Sequence, residues 1–295
     1  MFDTGFSAWV NVNSNISLGK PTGKTTMVDF VGTSEADTVK IKSLQLGGKP
    51  VNCSSNAEAF ISGNTDYSSG YNTHCDGLMG FAVIKDNITE INFEKKKFII
   101  YPRSFDITKL PVDNKKKFLV KLSPTGAASM ELPVETANGG ILTLSLDTGN
   151  AFYATTFPES LERVGILKEG FKPKFIKQSG VASGAVDSYS MKMPPLKIFG
   201  VPVETSVWDI INLPSALAGF DGTVGFGFLK NFNIVIDYDR RRVHLTNWTG
   251  STADEEEGDV GIGAAHNDRT NRTIVYGVTP DGPADKAGIK RGDFL

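Results

Sequence analysis

A tripeptide that returns 144 positions later constrains this chain more than any other feature: Asp3-Thr4-Gly5 recurs as Asp147-Thr148-Gly149. A second pair follows in the same order. Asp76-Gly77-Leu78-Met79-Gly80-Phe81 returns as Asp221-Gly222-Thr223-Val224-Gly225-Phe226, at an offset of 145. Beyond it the two stretches align without a gap: Lys85 with Lys230, Ile91 with Ile236, Phe93 with Tyr238, and Lys95-Lys96-Lys97 with Arg240-Arg241-Arg242. Between the motifs, Leu44…Gly48-Lys49-Pro50-Val51 echoes Leu196…Gly200-Val201-Pro202-Val203. Landmarks matched in one order over a long period mark a duplicated unit. The chain reads as two copies of one lobe.

Each copy reads as β-rich. Ile141 to Leu146 alternates apolar and polar residues straight into Asp147, as a half-buried strand does. Phe118–Leu122 and Met130–Val134, separated by a Ser-Pro-Thr-Gly turn, predict a hairpin. Ile234–Tyr238 and Thr89–Phe93 each lead through a charged turn into another strand. Helix is scarce; the best candidate is Pro158–Gly165, with proline suited to a first turn.

Composition narrows the function. The 295 residues, 40% hydrophobic and 22% charged, suffice for about two domains with a sizeable core. A net charge of −2 gives no electrostatic reason to expect nucleic acid as a partner. The basic runs at Lys95–Lys97, Lys115–Lys117 and Arg240–Arg242 sit beside strand-like segments, as solvated turns do. No stretch approaches the roughly 20 apolar residues of a membrane span. Cys53 and Cys75 either pack or pair; the sequence leaves both open.

Two aspartates at equivalent turns of twin lobes can be brought face to face by a pseudo-two-fold axis. Two negative charges a few ångströms apart are costly, so one carboxyl keeps its proton while the other ionises. The ionised member takes a proton from a water held between them, and the protonated member donates to the carbonyl oxygen under attack. Gly5 and Gly149 let backbone approach the carboxylates, and Thr4 and Thr148 offer hydroxyls to tie one loop to the other. Such chemistry requires neither metal nor other cofactor.

Residues 1 to about 249 resemble the aspartic peptidase superfamily, in particular the retropepsin-like and pepsin-like bacterial proteins that also carry a PDZ domain. The resemblance rests on the two Asp-Thr-Gly triplets and on Leu78-Met79-Gly80 and Thr223-Val224-Gly225, which match the family's later apolar-apolar-Gly element. It implies a mainly β fold: two duplicated acid-protease β-barrel lobes related by pseudo-two-fold symmetry, residues 1–103 and 104–249. It also implies an endopeptidase with Asp3 and Asp147 as catalytic residues, acting on peptide or protein substrates in the periplasm or outside the cell. Glycine-containing hairpins close over substrate in this family. Gly32 in Phe30-Val31-Gly32-Thr33, and Gly180 and Gly184 in the second lobe, are candidates, an ordinary surface hairpin being the other reading. The residue after each triplet departs from the family's Ser, Thr or Ala: Phe6 offers no side-chain donor to the outer carboxylate oxygen, whereas Asn150 does. A degenerate, peptide-binding descendant is the alternative reading. Lys116 to Leu146 supply a lead-in to Asp147, against only Met1 and Phe2 before Asp3. The expectation is that Met1 is a miscalled start or a fragment boundary.

Residues 250–258 read as an acidic linker. Beyond it, residues 259–295 resemble the front part of a PDZ domain. Gly261, Ile262 and Gly263 stand where its carboxylate-binding loop opens, and Pro283-Ala284, Ala287-Gly288 and Gly292-Asp293 fall at its spacing. A PDZ groove captures a peptide as an added strand. The helix forming its other wall belongs after Leu295, so capture here is expected only with the full-length domain.

Three other patterns carry nothing. Gly19-Lys20-Pro21-Thr22-Gly23-Lys24-Thr25 has three residues between its glycines where a phosphate-binding loop needs four. His74-Cys75-Asp76 finds no echo in the second copy, where Phe220 stands opposite Cys75. With His74, His244 and His266 alone, no Ser-His-Asp set emerges.

Overall fold

A computed structural model describes all residues except 30, 63–66, 69–72, 124–128, 182, 214–220, 255–259 and 268–269. The first lobe contributes β1 (Phe2–Asp3), β2 (Val10–Asn13), β3 (Gly23–Val28), β4 (Thr33–Lys40), β5 (Leu44–Leu46), β6 (Lys49–Val51), β7 (Glu58–Ser62), β8 (Gly77–Gly80), β9 (Ile88–Asn92) and β10 (Lys97–Tyr101). The second contributes β11 (Lys117–Lys121), β12 (Glu131–Thr136), β13 (Ile141–Leu146), β14 (Ala154–Thr156), β15 (Lys177–Val181), β16 (Gly184–Met193), β17 (Leu196–Ile198), β18 (Val201–Val203), β19 (Ser206–Ile211), β20 (Gly222–Val224), β21 (Phe232–Asp237) and β22 (Arg242–Asn247). Short helices at Ala82–Lys85 and Phe226–Leu229 follow β8 and β20 at matching places. The fold is mainly β.

Strand order makes the duplication physical. The first-lobe sheet runs β1-β8-β2-β7-β4-β3, and the second-lobe sheet contains the same path, β13-β20-β14-β19-β16-β15, extended beyond β13 by β12-β17-β18. In both, a parallel pair (β1 with β8, β13 with β20) is flanked by an antiparallel one (β8 with β2, β20 with β14). A third sheet, β10-β9-β21-β22-β11, takes strands from both lobes, with Ile234 opposite Ile91 and Ile236 opposite Thr89 where they meet. Its two hairpins turn at Lys96 (φ 52°) and Arg241 (φ 55°), equivalent residues in the same left-handed conformation, and the neighbouring basic side chains stay at the surface.

The core is concentrated in the second lobe and under the shared sheet. Leu132, Leu142, Leu144, Leu146, Trp208, Ile210, Phe228, Phe232 and Ile234 belong to one buried cluster. Removing a Leu-sized side chain from water contributes about 1.5–3 kcal/mol. The first lobe closes over a smaller cluster of Trp9, Val51, Ala57, Ala82 and Val83.

Two expectations need correction. Phe118–Leu122 and Met130–Val134 do not form a hairpin: β11 pairs with β22 in the shared sheet, while β12 pairs with β13 and β17. Phe118 and Met130 each have a buried place to fill, in different sheets, and the intervening residues 124–128 lie outside the described set. The predicted helix is real but ends at Arg163, where the Gly165 N–H bonds back to the Glu162 carbonyl with φ 71°.

Toward the C-terminus, the segment predicted as a linker is anchored where it is described. The Tyr153 hydroxyl donates to the Thr252 carbonyl at 2.6 Å, and Lys230 pairs with Asp254 at 2.7 Å; residues 255–258 lie outside the described set. Then β23 (Ile262–Asn267) pairs antiparallel with β24 (Arg272–Val278), with a bulge at Gly263/Ala264. A short helix at Pro283–Lys286 follows, and the Gly292 N–H bonds to the Val275 carbonyl at 2.7 Å.

Candidate active site

The two Asp-Thr-Gly triplets meet. Asp3 ends β1 and Asp147 directly follows β13, each strand held parallel to the Gly element of its own lobe: Asp3 stands beside Gly80, and the Asp147 N–H bonds to the Val224 carbonyl at 3.0 Å. The loop beyond each triplet wraps the same way. Phe81 N–H bonds to the Phe6 carbonyl and Phe226 N–H to the Asn150 carbonyl, both at 2.7 Å.

Four hydrogen bonds lock the triplets across the pseudo-two-fold axis. The Thr4 hydroxyl donates to the Leu146 carbonyl (2.7 Å) and accepts from the Thr148 N–H (2.9 Å). Reciprocally, the Thr148 hydroxyl donates to the Phe2 carbonyl (2.9 Å) and accepts from the Thr4 N–H (3.2 Å). Each bond contributes roughly 1 kcal/mol net, and a partner left unsatisfied costs roughly 1–3. The glycines explain why nothing larger fits. A β-carbon on Gly5 would stand 2.5 Å from the Asp147 carboxyl carbon, and one on Gly149 would stand 2.4 Å from that of Asp3.

The two carboxyl groups lie together, that of Asp3 against Gly149 and that of Asp147 against Gly5. Burial pushes both aspartates above the ordinary carboxylate range, and Asp147 further, because the charge of Asp3 also faces it. Asp3 Oδ1 accepts from the N–H groups of Gly5 (2.9 Å) and Phe6 (3.1 Å), which favour its ionised form. Asp147 Oδ1 accepts from the Gly149 N–H at 2.9 Å. The two carboxyls therefore titrate as one pair, with the ionised form disfavoured by burial and by the facing charge.

Asn150 corrects the sequence reading. Its amide nitrogen donates to the hydroxyls of Thr155 (2.9 Å) and Thr223 (2.6 Å), and its oxygen accepts from the Phe152 N–H (2.9 Å). The side chain knits its loop to β14 and β20 instead of serving the outer oxygen of Asp147. Phe6 contributes to Asp3 through its backbone alone, and its ring packs edge-on to Phe60, centroids 5.9 Å apart.

The structure adds Tyr67, which no sequence spacing singled out. It packs with Phe6, Cys75 and Leu78, and its hydroxyl accepts from the Asn11 amide. Burial first, then the nearby charge of Asp3, push its phenol up to about 12, so it stays a neutral donor.

The candidate covering hairpins touch at their tips. The Asp29 carboxylate accepts from Val31 and Gly32 N–H of its own turn (both 2.9 Å), and from the N–H (2.5 Å) and hydroxyl (2.8 Å) of Ser183 in the other lobe. Val31 packs with Val181 against Phe157, Val186 and Ile211. Gly32 and Gly184 therefore lie at this junction, whereas Gly180 sits within β15, paired with Ala185; Phe30 lies outside the described residues. Gly261, Ile262 and Gly263 lie at the start of the C-terminal hairpin, which sits beside β15, and the Gly261 carbonyl accepts from the Thr279 N–H.

Cys53 and Cys75 are both free thiols, so of the two sequence readings packing holds. Among the described residues, no group of three or more His, Cys, Asp or Glu side chains is arranged to hold a metal. Among the described residues, no helix is long and apolar enough to cross a membrane.

No family model and no curated protein sequence matches the chain. Among solved structures it is similar to a retropepsin-like aspartic protease from Rickettsia conorii, at 13% identity and a TM-score of 0.33, over 44% of this chain and 98% of that one. It is also similar to the aspartic proteinase from Irpex lacteus, at 13% identity and a TM-score of 0.44, over 86% of this chain and 91% of that one.

Proposed function

We propose that the chain is an aspartic-type endopeptidase in which Asp3 and Asp147 activate a water for attack on a peptide carbonyl. One observation carries this reading: the two carboxyls are brought together across the axis, each packed against the other triplet's glycine. Asp3, whose Oδ1 accepts from the N–H groups of Gly5 and Phe6, takes a proton from the water. Asp147, kept protonated, donates to the carbonyl oxygen, and the resulting gem-diol collapses as a proton passes to the leaving amine. Thr4 and Thr148 hold the geometry. Gly32 and Gly184 belong to the hairpins that cover an extended peptide.

Residues 1–103 and 104–249 are the two lobes in this proposal. Residues 259–295 form part of a PDZ module that recruits a peptide when the full domain is present, in a protein working in the periplasm or outside the cell. The Asn150 side chain, turned toward Thr155 and Thr223, favours a second reading, a non-hydrolytic peptide-binding protein of the same architecture. The deciding experiment incubates the full chain with a mixed peptide library across pH and reads products by mass spectrometry. Cleavage abolished by Asp147→Asn supports the peptidase. Binding without cleavage supports the second reading.

A further inference from the structure

We propose that Lys177, seated on the buried carboxylate of Asp209, selects peptides with an acidic side chain on the second-lobe side of the scissile bond. On the first-lobe side the partner is an aromatic or large apolar side chain. This deepens the proposed function and rests on it, because the dyad's axis fixes where the bond lies.

Asn11 stands beside Phe60 in the first lobe, and Thr155 beside Asp209 in the second. Asn11 and Thr155 are separated by the same 144 positions as the two dyad aspartates, so Phe60 and Asp209 occupy matching places. Phe6 and Asn150 match in the same way. The first lobe fills these places with two rings. The second fills them with an amide and an ion pair: Asp209 accepts from the hydroxyls of Ser179 (3.0 Å) and Ser188 (3.1 Å) and pairs with Lys177 Nζ at 3.3 Å. Lys177 Nζ also donates to the Ser190 hydroxyl (2.8 Å) and stands 5.1 Å from the centroid of the Phe152 ring.

Strand alternation puts Lys177, Ser179 and Val181 on one face of β15, continuous with Val186, Ser188 and Ser190 of β16. Val181 and Val186 pack against Val31 of the first lobe, so this face looks across the cleft. The Asp209 side chain is 1% exposed, that of Lys177 25%, and Phe152 is 36% exposed. What reaches the cleft is therefore an ammonium resting on a ring, with its counter-ion sealed beneath.

An extended peptide turns successive side chains to opposite sides. Residues flanking a bond held on the axis thus enter matching places in opposite lobes. Rings in one place favour an aromatic or aliphatic side chain. In the other, a substrate carboxylate gains a charge-assisted hydrogen bond from Lys177. A basic side chain meets a like charge, and reaching Asp209 means displacing Lys177 from a desolvated partner. Asp209 fixes the position of the ammonium and offsets part of its charge, so the discrimination is about tenfold rather than thousands-fold.

The test offers the full chain fluorescent peptides identical except for Glu, Gln or Lys at each position neighbouring an internal Phe. Binding is read by polarisation and cleavage by mass spectrometry. At one neighbouring position the Glu peptide binds about tenfold more tightly than the Lys peptide, with Gln between; Lys177→Glu reverses the order, and Lys177→Met flattens it. Equal binding of Glu and Lys peptides by the unaltered chain overturns the proposal whether or not the variants fold, as does a Glu preference surviving Lys177→Met. Preference without cleavage sinks the hydrolytic reading and leaves this one standing. Cleavage without preference does the reverse.

Discussion

Gly149 lies directly against Asp3, so close that a β-carbon on the glycine would stand 2.4 Å from the aspartate's carboxyl carbon. The contact joins one lobe's backbone to the other lobe's acid. Gly149→Ala therefore forces either the loop or the carboxyl out of place. The expected result is loss of peptide cleavage together with a destabilisation of roughly 1–3 kcal/mol from overpacking, read by urea denaturation. Gly180→Ala, where a β-carbon meets nothing within 4 Å, is the matched control and changes stability by less than about 0.5 kcal/mol.

The threonine cross-ties predict an unequal pair of substitutions. Thr148→Val keeps the shape but strands the Thr4 N–H and the Phe2 carbonyl. It costs roughly 2 kcal/mol in equilibrium unfolding. Thr148→Ser keeps both bonds and costs under about 1 kcal/mol. Equal losses in the two variants would show that the hydroxyl is not what holds the lobes.

Burial of Asp147 sets a pH dependence of stability. Its folded-state pKa is raised well above the ordinary value of about 4, so the native state holds a proton that the unfolded chain has already released. Its contribution is fully present below the unfolded pKa and is lost as pH rises through the folded one. Asp147→Asn removes this loss. Melting temperatures of the variant and the parent therefore converge near pH 4, and the variant gains on the parent as pH rises, while cleavage is abolished throughout.

The hairpin junction predicts a local effect. Asp29→Ala deletes an acceptor shared by the N–H groups of Val31, Gly32 and Ser183. Charge-assisted bonds of this kind contribute roughly 1.5–3 kcal/mol, so exchange of those three amides accelerates about 10- to 100-fold. Amides in β21, remote from the tips, keep their parent rates.

The duplication was legible because it left matched residues at nearly constant offset, and the threonine ties follow from the same repeat. Asn150 was not legible. From the sequence its amide had Asp147 as a nearby acceptor, but folding brings Thr155 and Thr223, five and 73 residues away, into a better arrangement. The supposed hairpin at residues 118–134 failed for a related reason. Local pattern marks both segments as strands, yet only the shared sheet, assembled from residues 88–121 and 232–247, decides their partners. Tyr67 and the meeting of Asp29 with Ser183 depend wholly on how loops distant in sequence converge.

The sheet that draws β9 and β10 from one half and β11, β21 and β22 from the other makes each half incomplete in isolation. Hinge motions that widen the cleft must bend this common floor, because parting it would break the β9–β21 ladder and expose Ile91 and Ile234 to water. A backbone nick between Tyr101 and Lys117 would accordingly leave two fragments that still migrate as one particle.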